Sequence, residues 1–240
     1  MFAKTRLALL VGWVTGSVAF PLLAQETTKN DTVVVTSQMQ SGATKLATPD
    51  IETPQSVSIV TREQFEEQGA TSVRQAVSYT PGVYSNQIGA SNRFDYIVLR
   101  GFSDGSLDNV YLDGLKMMGD TNSHSSLVVD PWFLEDIEVV RGPASVLYGR
   151  SSPGGIVALT SRKPSFDAGG EVKLFAGNNN QRGAAFDVTG ALDDNDRVAA
   201  RLSGMTRYAD SQFGPLKEER YALMPSLTWR ITDQTRLDLM

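Results

Sequence analysis

From residue 165 to residue 240 the chain alternates apolar and polar side chains with a period of two. Over 197–208 one face would carry Val198, Ala200, Leu202, Gly204, Thr206 and Tyr208. The other would carry Arg197, Ala199, Arg201, Ser203, Met205 and Arg207, so all three arginines fall on one side. Over 220–232, Tyr221, Leu223, Pro225, Leu227, Trp229 and Ile231 oppose Arg220 and Arg230. Val172 and Leu174 oppose Glu171 and Lys173, Phe186 and Val188 oppose Asp187 and Thr189, and Leu237 and Leu239 oppose Arg236 and Asp238. Successive side chains of a strand point to opposite faces, so such a segment folds as sheet with two chemically different faces. Roughly five strands fit into 171–240 at the ~9–11 residues a tilted membrane strand needs. Two solutions match the pattern equally well: a membrane barrel with its apolar face toward lipid, or a soluble sandwich with that face inside.

The beginning of the chain speaks to the compartment. Lys4 and Arg6 precede an apolar run over 7–20, and Leu22-Leu23-Ala24 offers a cleavage site. The run is shorter than the ~18–20 residues that span a bilayer and is diluted by Gly12, Thr15, Gly16 and Ser17. Residues 1–24 therefore read as a cleaved export signal, with the mature chain starting near Gln25. Without Lys4 and Arg6 the balance is 20 basic against 27 acidic residues, and the basic face of a nucleic-acid binder is missing. The chain has no cysteine, so a disulfide framework is excluded and stability must come from a core or a closed barrel. A composition that is 41% hydrophobic without a long apolar run suits alternating strands.

Residues 25–52 are polar and without helical periodicity, which predicts a flexible arm. Within it lies one apolar island, Asp31-Thr32-Val33-Val34-Val35-Thr36. Consecutive β-branched residues favour an extended chain, suited either to adding a strand to another protein's sheet edge or to serving as the first strand of the domain. Residues 53–164 predict an α+β domain, a mixed four-stranded sheet with short helices. Strands are expected at 57–60, 96–99, 110–112, 137–140 and 156–160. Thr61-Arg62-Glu63-Gln64 has capping-box spacing, with Phe65 inside the helix and Gly69 as its C-cap. Ser72-Val73-Arg74-Gln75 repeats that logic, Val73, Ala76 and Val77 share a face, and Pro81-Gly82 stops the second helix.

Chemistry-bearing motifs are few. The glycine-rich 142–151 segment fails as a phosphate loop, because six residues separate Gly142 from Gly149 and Arg150 stands where lysine is needed. His124 is the only histidine and lies among Asn122, Ser123 and Ser125, which suits a solvated loop rather than a metal ligand. No nucleophile, base and orienting acid assemble, so neither a catalytic nor a metal site is expected. Arg100 and Arg141 each close a predicted strand just before a glycine. A buried arginine there needs a carboxylate, whereas a solvated one does not.

The string Asp136-Ile137-Glu138-Val139-Val140-Arg141-Gly142-Pro143-Ala144-Ser145-Val146-Leu147-Tyr148-Gly149, running on to Ser152-Pro153-Gly154-Gly155, is accompanied by further anchors. These are Thr53-Pro54-Gln55-Ser56-Val57, Tyr79-Thr80-Pro81-Gly82-Val83, Leu99-Arg100-Gly101-Phe102, Tyr111-Leu112-Asp113-Gly114 and Asp130-Pro131-Trp132-Phe133-Leu134-Glu135. Together they resemble the N-terminal portion of TonB-dependent outer-membrane siderophore receptors. Asp130-Pro131-Trp132 and Gly177-Asn178-Asn179-Asn180 are most similar to receptors for ferric hydroxamates of the ferrioxamine and ferrichrome kind. The resemblance implies a plug domain over 53–164 and the opening, incomplete antiparallel strands of an outer-membrane β-barrel over 165–240, and so decides for the barrel. A complete receptor of this type has about 22 strands.

The same resemblance implies that Asp31, Thr32, Val33, Val34, Val35 and Thr36 form a TonB box. It makes Arg100 and Arg141 a latch to acidic residues of the inner barrel wall, expected beyond Met240. Ligand contacts would come from apical plug loops, with Ile88, Arg93, Phe94, Gly105, Ser106 and His124 as candidates. The ligand would be a ferric siderophore complex with no cofactor, and the partners TonB with its inner-membrane energising complex and outer-membrane lipid. Ile88 stands where ferrichrome receptors place an arginine, which favours another hydroxamate. Two other readings are a truncated product that at most binds TonB, and the same architecture carrying haem or a cobalamin.

Overall fold

The computed structural model describes residues 39–40, 42, 45, 48–49, 52–87, 89, 95–102, 109–117, 119–120, 125–211 and 216–240. The export signal and the 31–36 island lie outside the described residues. In chain order the elements are β1 (Met39–Gln40), β2 (Thr48–Pro49), β3 (Ser56–Thr61), α1 (Arg62–Glu67), α2 (Val73–Ala76), β4 (Val83–Tyr84), β5 (Val98–Leu99), β6 (Val110–Leu112), β7 (Leu115–Lys116), β8 (Gly119–Asp120) and β9 (Ser125–Ser126). A 3-10 turn, Pro131–Phe133, leads into β10 (Leu134–Arg141), α3 (Ser145–Tyr148) and β11 (Gly155–Ser161). Then come β12 (Gly169–Ala176), β13 (Arg182–Ala191), β14 (Val198–Asp210), β15 (Lys217–Thr232) and β16 (Thr235–Leu239).

Local chemistry explains the first helices. The Thr61 hydroxyl accepts from the Gln64 N–H, and the Gln64 side chain accepts from the Thr61 N–H at 3.1 Å, closing the expected capping box. Such a cap contributes about 1 kcal/mol. Beyond Gln68, the Ala70 N–H reaches back to the Phe65 carbonyl, so Gly69 sits where the helix turns off. In α2 the box is displaced by one residue. Ser72 caps the Gln75 N–H, but Gln75 Oε1 turns to Thr71, which offers both its N–H at 2.8 Å and its hydroxyl at 2.9 Å.

The first sheet runs β3-β10-β11-β6-β7, antiparallel except for the parallel β11–β6 pair. It is mixed, as expected, but has five strands rather than four. The additional strand is β7, returned by the Asp113-Gly114 turn, where both residues have positive φ (50° and 81°). That geometry is the hairpin turn Asp-Gly favours. Of the predicted 96–99 strand only Val98–Leu99 is extended and paired; it joins β4 in a separate ribbon instead of the main sheet. Strand β11 is hydrogen-bonded on both edges, which its apolar run Ile156-Val157-Ala158-Leu159 suits. One cluster (Phe65, Val73, Val77, Ile97, Leu99, Leu134, Ile137, Val139, Val157 and Leu159 among them) fills one face of the sheet. Tyr111, Val140, Ala144 and Ile156 form a smaller cluster of their own.

The second sheet is an antiparallel meander in chain order, β12 to β16, matching the five strands expected. Its polarity is the reverse of a soluble sheet. Val172, Leu174 and Leu223 are 75%, 78% and 65% exposed, while Asp187, Ser203 and Thr228 on the opposite face are 2%, 0% and 4% exposed. Among the described residues no helix is long and apolar enough to cross a membrane. A strand meander that covers its polar face and bares its apolar one is built for lipid. Both sheets belong to one compact unit, Ser37–Met240.

Candidate functional site

The polar face of the meander is covered by the end of the first domain, and the contact centres on Trp132. Asp130 accepts the Trp132 N–H at 3.0 Å and Pro131 occupies the first position of the 3-10 turn, so the local sequence pins the ring's direction. Trp132 and Phe133 pack with Ala185 and Met205 of β13 and β14, and the indole N–H donates to the Phe186 carbonyl at 3.3 Å. The guanidinium groups of Arg62 and Arg162 and the Lys173 ammonium lie 5.1, 5.9 and 6.0 Å from the indole ring centre, within cation–π range.

Two buried carboxylates flank this ring. Asp130 is 4% exposed; its Oδ2 accepts from Arg207 Nη1 at 2.8 Å and Arg220 Nη1 at 3.0 Å, while Oδ1 holds the Trp132 N–H. Arg207 also donates to the Thr71 carbonyl at 3.0 Å. One domain thus supplies the anion and the meander both cations. Asp187 is the meander's own anion, held mainly from within the meander. Arg201 of the neighbouring strand grips it with two bonds of 2.8 Å, Ser203 donates its hydroxyl, and Arg162 arrives from the segment joining the two sheets at 3.2 Å. Arg201 then reaches the Lys163 carbonyl at 2.7 Å. Pairing and hydrogen bonding offset the cost of keeping such charges inside.

At the far end of β10, Arg141 donates to the hydroxyls of Ser56 (3.0 Å) and Ser58 (2.9 Å) and to the Pro81 carbonyl (3.2 Å). Burial, and then the nearby Arg100 charge, hold its guanidinium below the usual arginine range. Arg100 sits at φ +51°, a left-handed conformation uncommon outside glycine, with its N–H bonded to the Gly82 carbonyl at 2.9 Å. Among the described residues neither arginine has a carboxylate at ion-pair distance.

Comparison with known proteins meets this geometry from outside. Residues 49–156 match the TonB-dependent Receptor Plug Domain family. All 240 residues align at 92% identity with the ferrioxamine B receptor of Salmonella typhimurium strain LT2 and cover 34% of it. The chain belongs to the TonB-dependent receptors. A ferrioxamine receptor of Yersinia enterocolitica is 48% identical over 202 residues, which are 84% of this chain and 28% of that one. The crystal structure of the ferric-catecholate import receptor Fiu from Escherichia coli K12, in its open form, superposes with a TM-score of 0.70 at 28% identity, covering 84% of this chain and 29% of that chain. The chain spans about a third of the length of the curated relatives it matches. The family places it in the outer membrane of a Gram-negative bacterium, and its two sheets are the receptor's plug and the first strands of the barrel wall.

In receptor terms, the described site is the seat of the plug on the wall. Of the candidate residues the sequence singled out, only Arg100 and Arg141 are among the described residues; they lie close together on the plug, at the end of β10 away from this seat. Ile88, Arg93, Phe94, Gly105, Ser106 and His124 lie outside the described residues, as does the 31–36 island. The sequence reading missed Asp130, Asp187, Arg162, Arg201, Arg207 and Arg220 as partners. A signal for them existed: the arginines of β14 share one face, and Asp130 opens one of the family's anchors.

The plug also buries Asp95, which accepts the Arg74 N–H at 3.3 Å. Burial raises its pKa from the ordinary 3.8 to about 6, against the opposing pull of that bond and of the Arg220 and Arg74 charges. The folded state therefore holds a proton that the unfolded chain releases between these values. Stability from this group falls as pH rises from about 4 through 6, by about 2–3 kcal/mol in all. Asp95→Asn should remove that loss. Denaturant unfolding at pH 4 and pH 7 should show the variant gaining on the parent only at the higher pH; a pH-independent difference would exclude a buried, proton-bearing Asp95.

Proposed function

We propose that this chain serves as the plug and opening barrel strands of a receptor that imports a ferric hydroxamate siderophore across the outer membrane. The 92% identity with a ferrioxamine B receptor, extending over the whole chain, is the observation that carries this reading. The absence of an arginine at position 88 fits a ferrioxamine better than ferrichrome. Ligand would bind at apical plug loops, where Ile88, Arg93, Phe94, Gly105, Ser106 and His124 are the candidate contacts, and at barrel residues. TonB would pair with the 31–36 strand and, driven by the inner-membrane energising complex, pull the plug out of its seat. Arg100 and Arg141 would latch the plug to wall carboxylates; two neighbouring cations with no carboxylate at ion-pair distance among the described residues support that assignment.

The test is iron-limited growth of cells lacking their own hydroxamate uptake and supplied with this receptor. Growth is expected on ferrioxamine B as the sole iron source and absent on haem; growth on haem alone would replace the cargo assignment. In the same cells Arg141→Ala should increase leakage of large antibiotics through a poorly seated plug. Unchanged leakage and uptake would remove the latch role.

A further inference from the structure

Just past the island assigned to TonB, between β1 and β2, the chain passes through a buried glycine. The Gly42 N–H donates to Glu138 Oε2 at 2.7 Å, and the Tyr148 hydroxyl donates to the Gly42 carbonyl at 2.6 Å. Glu138 is 2% exposed on β10, and Tyr148 belongs to α3. Both backbone polar groups of one residue are thus held by side chains from two different plug elements. A Cβ at position 42 would lie 2.6 Å from Glu138 Oε2 and 2.9 Å from the Ala158 Cβ, so the seat admits only glycine. The Lys45 ammonium covers the Tyr148 ring at 4.5 Å, and Tyr111 packs edge-on against it at 4.6 Å. Burial, with Glu138 and Tyr111 nearby, pushes the Tyr148 hydroxyl up to about 12, so it remains a donor at any working pH.

We infer that Gly42, Glu138 and Tyr148 form a clasp that fixes the root of the N-terminal arm to an interior strand of the plug sheet. The clasp sets how much of the arm is free. A pull on the arm reaches β10 at Gly42 before it reaches β3, the first strand of the plug sheet. A bond from an N–H to a buried carboxylate is short and roughly twice as strong as one between neutral groups. Because β10 is paired on both edges, a load delivered there falls on an interior strand rather than on the edge strand β3. That the arm is pulled at all rests on the proposed function; the clasp itself does not.

A nitroxide attached at Gln40→Cys, in the receptor held in outer-membrane vesicles, reads the clasp directly. The label should be immobilised in the parent protein. Gly42→Val should convert it to a mobile spectrum. Tyr148→Phe keeps the ring and its packing on Tyr111 and loses only the hydroxyl, so it guards against a misfolded Gly42 variant; it should shift the immobile-to-mobile ratio about fivefold. A mobile label in the parent, or spectra unchanged in both variants, would overturn the clasp. Val34→Pro separates this inference from the function it rests on. An immobilised label together with normal uptake would discard the TonB box and keep the clasp, whereas a mobile label with uptake lost would do the reverse.

Discussion

Asp130→Ala should cost the receptor about 3–5 kcal/mol, because it leaves arginines without their anion in a dry interface. The carboxylate serves three donors: the Trp132 N–H, Arg207 and Arg220. Arg220 is 18% exposed and keeps Glu218 at 3.6 Å; Arg207 is 9% exposed and its Nε has no partner among the described residues, so it bears most of the loss. Asp130→Asn retains an acceptor for the Trp132 N–H and loses only the charge, and should fall between the alanine variant and the parent. Denaturant unfolding of the detergent-solubilised receptor, followed by tryptophan fluorescence, measures both. A loss under about 1 kcal/mol for the alanine variant would mean that the pair behaves as a solvated surface bridge. The seat would then have to be held by Trp132 and Phe133 alone.

The largest functional effect is expected from proline in the 31–36 island. If TonB adds that strand to its own sheet, the main-chain N–H groups supply the affinity, and proline removes one of them. Adjacent N–H groups point to opposite edges of a strand, so Val33→Pro and Val34→Pro together sample both. At least one should reduce uptake of radiolabelled ferric siderophore about a hundredfold, which is what a loss near 3 kcal/mol produces. Surface binding of the ligand should be unchanged in both. Normal uptake in the pair would move the TonB contact elsewhere on the receptor.

These two predictions draw on different kinds of knowledge. The island and its role come from the residues and the resemblance they carry, without any tertiary contact. The Asp130 node comes from the structure alone: Asp130 and Arg207 are 77 residues apart, and nothing between them announces that they meet. The Arg100 and Arg141 pair lies between these cases, since strand-end arginines before glycine were visible in the sequence but their closeness to each other was not.

Where the sequence was sufficient, the physics was local. The capping box at Thr61 and Gln64 and the two-residue alternation of 165–240 depend on neighbours a few positions away and on the strand and helix periods. They determined the first helix, the order of the wall strands and the two faces of each; the hairpin strand β7 and the separate β4–β5 ribbon were not legible from them. Which face would be covered was undetermined, because a sandwich and a barrel share the same alternation. The resemblance pointed to the barrel, and the packing of Trp132 and Phe133 onto Ala185 and Met205 shows how it is achieved, burying the polar face and leaving Val172, Leu174 and Leu223 for lipid. The choice of ion partners followed from the same event. A charge finds its counter-ion only when two surfaces meet and exclude water, and that is a property of the assembled sheets rather than of any stretch of chain.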